Sequence, residues 1–230
     1  FGALPIQRIS KTDAVRLVRQ AYEAGINYFD TANMYTDSEE KLGLAFEGIR
    51  EKIFIATKTA AKTAEEFRRD LEESLRLLKT DYIDLYQFHN PAVCPKPGDG
   101  SGLYEAMLEA RENGKIRHIG ITNHRLNVAA EAVASGLYET LQFPFSYLAS
   151  EKELELVEAC RMADMGFIAM KALSGGLITN SAAAYAYLAK FDHVLPIWGI
   201  QRENELDEFL SYIGNPPVMT AELEAVIEHD

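Results

Sequence analysis

Short apolar runs rich in β-branched and aromatic residues recur along the chain, separated by longer and more polar segments. The run INYFD at 26–30 is the first clear example. Six more follow, namely KIFIATKT (52–59), DYIDLYQFH (81–89), IRHIGIT (116–122), ETLQFPF (139–145), MGFIAMKA (165–172) and HVLPIWGI (193–200). Runs of this length and composition predict β-strands. The segment FGALPI at 1–6 offers an eighth strand.

Helical periodicity fills the segments between these runs. The segment 64–79 is apolar at Phe67, Leu71, Leu75 and Leu78, which places one apolar stripe along a helix. The same periodicity predicts helices over 12–25, 38–49, 103–112, 125–135, 151–163, 182–190 and 203–212. A further amphipathic helix is predicted over 220–230.

The alternation of strands and helices predicts βαβ units and therefore a parallel sheet. Eight strands with eight helices would form a (β/α)8 TIM barrel, which typically takes about 250 residues. We therefore predict one parallel eight-stranded barrel domain over residues 1–230, with an extra C-terminal helix. The alternative is a doubly wound open sheet, which usually binds a dinucleotide at a GxGxxG turn after a strand. No such turn follows a strand here, because GDGSG (98–102) lies in a predicted loop.

Composition and charge limit the kinds of molecule that the chain is expected to bind. The formal net charge of −12 argues against nucleic acid or an anionic membrane as the main partner, and leaves room for local basic sites. No run of about eighteen apolar residues exists, so we expect no membrane span. The two cysteines form no CxxC or zinc pattern, so we expect no metal site. The small number of cysteines also favours the reducing cytoplasm as the location. The sequence does not indicate an oligomeric state.

Ionisable side chains lie at the carboxyl ends of three successive predicted strands. Asp30 ends the first run, Lys58 lies at the end of the next, and His89 ends the third, while Tyr35 follows Asp30 in a loop. Active sites of (β/α)8 barrels are built at this end of the strands. Each residue alone has an ordinary structural explanation, such as a turn aspartate or a surface lysine. Their joint placement predicts one site.

These four side chains suit the transfer of a proton to a carbonyl oxygen. A tyrosine hydroxyl has a reference pKa of about 10, so Tyr35 needs a neighbouring cation such as Lys58 to lower that pKa. A buried ammonium in turn needs a carboxylate, which Asp30 supplies. His89 would hydrogen-bond the reacting oxygen. Because the sequence shows no nucleophile elbow, metal-ligand cluster or phosphate-binding loop, the missing reactant is a hydride donor.

The order of these motifs resembles the aldo-keto reductase family. FDTANMYTDSEEKLG (29–43) is similar to the family's aspartate-to-tyrosine signature, IATKT (55–59) to its lysine strand and DLYQFHNP (84–91) to its histidine strand. GITNH (120–124) resembles the segment that contacts the nicotinamide amide, and QFPFS (142–146) the following glutamine strand. The resemblance runs in order over nearly the whole chain.

The resemblance implies an NAD(P)H-dependent oxidoreductase that reduces an aldehyde or ketone to an alcohol, or catalyses the reverse. Tyr35 would be the general acid, Lys58 would lower its pKa, Asp30 would pair with Lys58 and His89 would orient the carbonyl. The implied cofactor-binding residues are Thr122, Asn123, Gln142, Met170, Lys171, Leu173, Gly199, Gln201, Arg202 and Glu208. Candidates for the lining of the pocket around a small carbonyl substrate are Met34, Asn90, Phe145 and Trp198.

Two segments depart from the family's pattern. AMKAL (169–173) stands where many members have a tyrosine that stacks on the nicotinamide, so Met170 takes the place of that ring. Gly199 and Glu205 stand where many NADPH-using members have a lysine and an arginine for the 2′-phosphate. The family's habit favours NADP(H), whereas the missing clamp favours NAD(H) or the use of both cofactors. We expect NADP(H), with Arg202 as the main phosphate contact.

Another segment is similar to one bacterial branch of the family. MKALSGGLI (170–178) resembles members that carry a cysteine-rich, ferredoxin-like segment after the barrel, and MTAELEAVIEHD (219–230) resembles the approach to it. This branch implies a [4Fe–4S] cluster in a segment beyond Asp230. Because Phe1 also falls inside a predicted strand, we expect that the chain is trimmed at both ends.

Two other functions fit part of the pattern. Some relatives keep the barrel and the cofactor site but serve as regulatory subunits, so a non-catalytic cofactor-binding subunit is an alternative. A lyase that uses Lys58 as a Schiff-base nucleophile is a third hypothesis. The presence of Asp30 and Tyr35 beside Lys58 favours proton transfer instead.

Overall fold

The computed structural model describes residues 1–230 as a parallel sheet surrounded by helices. Seven strands lie side by side in chain order, and every neighbouring pair is parallel. They are β1 (Tyr28–Asp30), β2 (Phe54–Thr59), β3 (Ile83–His89), β4 (Ile116–Thr122), β5 (Thr140–Pro144), β6 (Gly166–Met170) and β7 (Val194–Pro196). Each strand lies within one of the seven apolar runs, so the predicted parallel sheet is confirmed for these runs.

Nine α-helices accompany the strands, and each overlaps a predicted helix. They are α1 (Lys11–Glu23), α2 (Ser38–Ala45), α3 (Ala64–Leu78), α4 (Leu103–Glu112), α5 (Leu126–Ser135), α6 (Glu151–Met162), α7 (Ser181–Leu188), α8 (Glu203–Gly214) and α9 (Ala221–His229). Short 3-10 helices span Pro5–Arg8, Arg50–Lys52 and Ser174–Gly176. None of the helices combines the length and apolar character needed to cross a membrane.

The N-terminal segment does not form the eighth strand that the sequence predicts at 1–6. Gly2 alone makes bridges, one to Asp30 at the end of β1 and one to Gly199 beyond β7. The chain then enters the 3-10 helix Pro5–Arg8, because proline has no N–H to continue a ladder of hydrogen bonds. The structure thus has seven strands and one bridging residue where eight strands were predicted.

Side-chain packing shows how strongly the sheet curls. A small apolar cluster joins Ala56 of β2 and Leu85 of β3 to Ile168 of β6 and to Ile197. Strands that are distant in the sheet therefore meet across its concave face. The larger core lies on the opposite face, between the sheet and the helices, where Phe67 of α3 packs its ring on β3.

Candidate active site

A pocket of about 560 Å³ opens at the carboxyl ends of the strands. Its lining includes all four residues that the sequence placed in one site, namely Asp30, Tyr35, Lys58 and His89. Asp30 and His89 are the last residues of β1 and β3, and Lys58 precedes the last residue of β2. The parallel sheet brings them together because the carboxyl ends of its strands all meet at the same edge.

Lys58 and Asp30 form a buried ion pair. The Lys58 Nζ donates to Asp30 Oδ1 and to the Thr31 carbonyl oxygen, each at 2.6 Å. Lys58 is only 1% exposed and Asp30 only 2% exposed. Asp30 Oδ2 has no hydrogen-bond partner. Such a pair is costly to break by removing one member, because the other is then left as an unpaired buried charge.

Tyr35 lies in the loop after β1, against both Lys58 and His89. The Lys58 Nζ is 5.0 Å from the centre of the Tyr35 ring, and the His89 ring meets that ring edge-on at 5.8 Å between centroids. Burial raises the pKa of Tyr35, while the charge of Lys58 acts in the opposite direction. Lys58 thus acts to lower this pKa, as the sequence predicted, but burial outweighs it and the pKa of Tyr35 is raised overall.

His89 is neutral at pH 7. Burial, followed by the charge of Lys58, lowers the pKa of His89 to about 4. Its Nδ1 is buried and has no hydrogen-bond partner. A neutral imidazole carries one donor nitrogen and one acceptor nitrogen. Together with the Tyr35 hydroxyl, this ring can hydrogen-bond a small oxygen-containing ligand in the pocket.

Residues on the later strands supply the other wall of the pocket. Six of the proposed cofactor residues line it, and they are Thr122, Gln142, Met170, Lys171, Leu173 and Gly199. Gln142 accepts a hydrogen bond from Gln87 Nε2 at 3.2 Å, and its own amide lies 3.9 Å from the Met170 sulfur. The amide group of Gln142 thus stands beside the apolar surface of Met170.

Four of the proposed cofactor residues do not line this pocket. Asn123 is buried, donates to the Pro91 carbonyl oxygen at 2.9 Å and accepts from the Arg125 backbone N–H at 2.8 Å. These bonds hold together the loops after β3 and β4. Glu208 of α8 accepts from the hydroxyl of Ser181 at 2.8 Å, which joins α8 to α7.

The start of α8 lies at a separate groove. Gln201 and Arg202 line this groove together with residues of α1. The Glu205 carboxylate accepts from the backbone N–H of Gln201 at 2.9 Å and of Arg202 at 3.2 Å. These are the N–H groups that would otherwise attract a phosphate to the start of a helix. The Arg202 side chain is 69% exposed, with its nearest acidic oxygen on Glu205 at 3.9 Å.

The four proposed substrate residues are divided among different places. Trp198 lines the pocket of about 560 Å³. Asn90 lines an adjoining cavity of about 450 Å³, which shares His89 with that pocket. Met34 is 63% exposed and lies outside both. Phe145 is buried in the core, where its ring packs on Phe191 at 5.2 Å, so it lines neither cavity.

Sequence reasoning missed two cationic or potentially cationic residues of the pocket, Arg8 and His124. Arg8 ends the 3-10 helix that follows Gly2. The rule that residues after strand ends build the site could have found it, since it follows a predicted strand. His124 is the last residue of the segment GITNH (120–124), but only Thr122 and Asn123 of that segment were named as cofactor-binding candidates.

Two buried ionisable residues of α2 make hydrogen bonds to segments next to the pocket. Lys41 Nζ donates to the carbonyl oxygens of Ile6 at 3.0 Å and Ile9 at 2.7 Å. Glu39 accepts a hydrogen bond from the Thr57 hydroxyl at 2.5 Å, while its second carboxylate oxygen has no partner. Burial raises the pKa of Glu39. Both residues belong to the segment that follows Tyr35 in the sequence.

Comparison with known proteins identifies the family of this chain. The model of the aldo/keto reductase family matches residues 1–210, and the chain belongs to that family. It is 29% identical to L-galactose dehydrogenase from Arabidopsis thaliana over 78% of this chain and 62% of that protein. It is 32% identical to the aldo-keto reductase YhdN from Bacillus subtilis over 73% of this chain and 54% of that protein. The chain thus spans less than two thirds of these relatives.

Solved structures show the same fold at lower sequence identity. The holo form of the aldo-keto reductase AKR11C1 from Bacillus halodurans is 23% identical, with a TM-score of 0.86 that covers 100% of this chain and 90% of that one. An aldo-keto reductase from Klebsiella pneumoniae in complex with NADPH is 21% identical, with a TM-score of 0.84 that covers 100% and 89%.

Proposed function

We propose that the chain is an NAD(P)H-dependent oxidoreductase that reduces an aldehyde or ketone to an alcohol, or catalyses the reverse. The observation that carries this proposal is the meeting of Tyr35, the buried Lys58–Asp30 pair and neutral His89 in one pocket. Membership of the aldo/keto reductase family supports redox chemistry on a carbonyl group.

The residues of the pocket fit a nicotinamide group. A volume of about 560 Å³ lies within the usual range of small-molecule sites, roughly 300–1,000 Å³. The Gln142 amide and the Thr122 hydroxyl offer hydrogen-bonding groups to a carboxamide, and Met170 offers an apolar surface beside them. A reduced nicotinamide bound there would supply the hydride. NADPH and NADP complexes of two neighbouring structures favour NADP(H) over NAD(H).

The chain's own residues would handle the proton. Tyr35 gives its hydroxyl proton to the carbonyl oxygen as that oxygen gains negative charge. The Lys58 ammonium stabilises the resulting phenolate, because an opposite charge nearby favours the charged form. Asp30 keeps that ammonium charged in its buried position. A neutral His89 donates its ring N–H to the same oxygen and so holds the carbonyl in place.

We also propose that the sheet is a single (β/α)8 barrel, closed at Gly2. The two bridges of Gly2, to Asp30 and to Gly199, support this proposal because they link the two edge regions of the sheet. In such a barrel the eighth strand is reduced to one residue. The iron–sulfur segment beyond Asp230 stays a prediction, and the gene sequence after that codon tests it.

The proposed activity has a direct test. The purified chain is mixed with NADPH or NADH and a panel of aldehydes and ketones, and loss of the reduced-nicotinamide absorbance is followed. We expect turnover with at least one carbonyl compound. Tight cofactor binding without turnover on any member of the panel would instead identify a non-catalytic cofactor-binding subunit.

A further inference from the structure

The charges that line the pocket differ in sign from those of the whole chain. The chain carries a formal net charge of −12. Within the pocket, Asp30 is the only acidic residue, and it is already paired with Lys58. Two further cations, Arg8 and Lys171, line the pocket, and neither makes an ion pair. The pocket is therefore suited to ligands with negative charge.

These two cations belong to different walls. Lys171 follows β6 directly, next to Met170 and on the wall that carries the proposed nicotinamide contacts. Arg8 belongs to the 3-10 helix before α1, next to the loop that carries Tyr35. The Thr36 hydroxyl donates to Gln7 Oε1 at 3.2 Å and links the two segments. Arg8 thus lies on the same wall of the pocket as Tyr35, the proposed proton donor.

The segment that carries Arg8 is held in place from inside the protein. Lys41, which is 1% exposed, donates to the backbone carbonyl oxygens of Ile6 and Ile9 on either side of Arg8. Lys41 is in turn paired with Asp37 at 2.8 Å. The backbone at Arg8 is therefore fixed, while its guanidinium has no hydrogen bond or ion pair within the chain. A cation held ready in this way suits the recognition of a ligand group.

We propose that Arg8 binds an anionic group of the substrate, so that the preferred substrate is an aldehyde or ketone that also carries a carboxylate or a phosphate. The guanidinium offers parallel N–H donors that match either anion. The carbonyl lies between Tyr35 and His89, and the anionic end points along the wall formed by Pro5 and Arg8. This inference rests on the proposed function, because it concerns the substrate of that same site.

The test compares matched carbonyl compounds on the full chain. One series consists of ω-oxo carboxylates of increasing length, each beside its uncharged methyl ester. A second pair is a phosphorylated aldehyde beside its dephosphorylated parent. We expect kcat/KM to be about ten- to a hundredfold higher for the anionic member of at least one pair, which is the usual effect of a charge-assisted hydrogen bond. The series that shows the preference identifies the anion.

The variants Arg8→Gln and Arg8→Lys assign the preference to this side chain. Arg8→Gln should bring the ratio of anionic to uncharged substrate close to one, mainly through KM, because a remote contact binds substrate and transition state alike. Arg8→Lys should restore part of the ratio. Arg69→Gln, which removes an exposed arginine of α3 outside the pocket, is the matched control and should leave the ratio unchanged.

Each contrary outcome has a distinct meaning. Equal turnover of anionic and uncharged members by the wild-type chain would overturn the inference and leave the proposed function intact. If Arg8→Gln weakened NADPH binding by as large a factor as it weakened anionic substrate, Arg8 would be a cofactor contact and the inference would be wrong. If the wild-type chain reduced no carbonyl compound at all, the proposed function would be wrong, and the inference about its substrate would be wrong with it.

Discussion

The cluster of Asp30, Tyr35, Lys58 and His89 contrasts with the start of α8, where the sequence placed the contact with the cofactor phosphate. In the cluster, Lys58 and Asp30 are buried and bonded to each other before any ligand arrives. At the start of α8, Arg202 is exposed. The strand ends hold Asp30 and Lys58 in place. At the start of α8, by contrast, the Glu205 carboxylate occupies backbone N–H groups that a phosphate would use.

Replacement of the proton donor should have the largest effect in this comparison. In Tyr35→Phe the ring still packs against His89, but the hydroxyl is lost. We expect turnover to fall by roughly 10²–10⁴-fold, the usual contribution of a positioned acid. Single-turnover measurements with saturating cofactor would measure this fall in rate. The Kd for the cofactor serves as the control and should stay close to that of the wild type. Turnover close to wild type would place the acid on another residue.

Loss of the buried ion pair should be seen in stability. Lys58→Met leaves Asp30 as an unpaired buried charge, and we expect the free energy of unfolding in urea to fall by about 3–5 kcal/mol. The double variant Asp30→Asn/Lys58→Met removes that charge as well and should recover much of the loss. A double variant as unstable as the single one would attribute the loss to packing rather than to charge.

At the start of α8 we expect a smaller effect. Arg202→Ala should weaken the binding of NADPH by roughly two- to fivefold and leave the binding of NADH unchanged, since an exposed cation contributes little to binding. Glu205→Gln should act in the opposite direction, because it removes a negative charge from the N–H groups that a phosphate would use. Calorimetric Kd values for both cofactors test this pair. Equal weakening of NADH and NADPH by Arg202→Ala would rule out a contact with the 2′-phosphate.

Glu39, which lies on α2 behind the cluster, should make the stability of the protein depend on pH. Because burial raises the pKa of Glu39, the folded protein favours its protonated form. Its contribution to stability is present below the ordinary carboxyl pKa and is lost as the pH rises through the raised value. Glu39→Gln should therefore gain in stability relative to wild type as the pH rises from acid to neutral.

Urea unfolding at several pH values measures this relative stability. The exposed Glu155→Gln on α6 is the matched control and should show no such trend. A constant difference between wild type and Glu39→Gln at all pH values would show that Glu39 does not titrate in this range.

The positions of side chains at strand ends could be predicted from the sequence, and the structure brings these side chains to one pocket. Asp30, Lys58 and His89 could be grouped because each occupies the end of a strand that composition alone reveals. Phe145 could not be placed in this way, since nothing local shows that its ring turns toward the core. For Glu205, the capping of its own helix became visible only in the structure.

The N-terminal segment shows a different limit of sequence reasoning. FGALPI has the composition of a strand, yet Pro5 begins a 3-10 helix there. This early end of the extended segment brings Arg8 to the pocket. A pattern of apolar residues reports burial, but it does not report how many residues pair with a neighbouring strand.

The bridges of Gly2 also set an order of events during synthesis. Gly2 is translated before β1, whereas its partner Gly199 is added only after all seven strands have been translated. Contacts between residues so far apart in sequence form slowly, because the chain must pay the entropy of closing a long loop. Until then the Gly2 segment, which can already pair with Asp30 of β1, lacks a neighbour on its other edge. A nascent chain stalled before residue 199 should therefore expose this edge to chaperones and to protease.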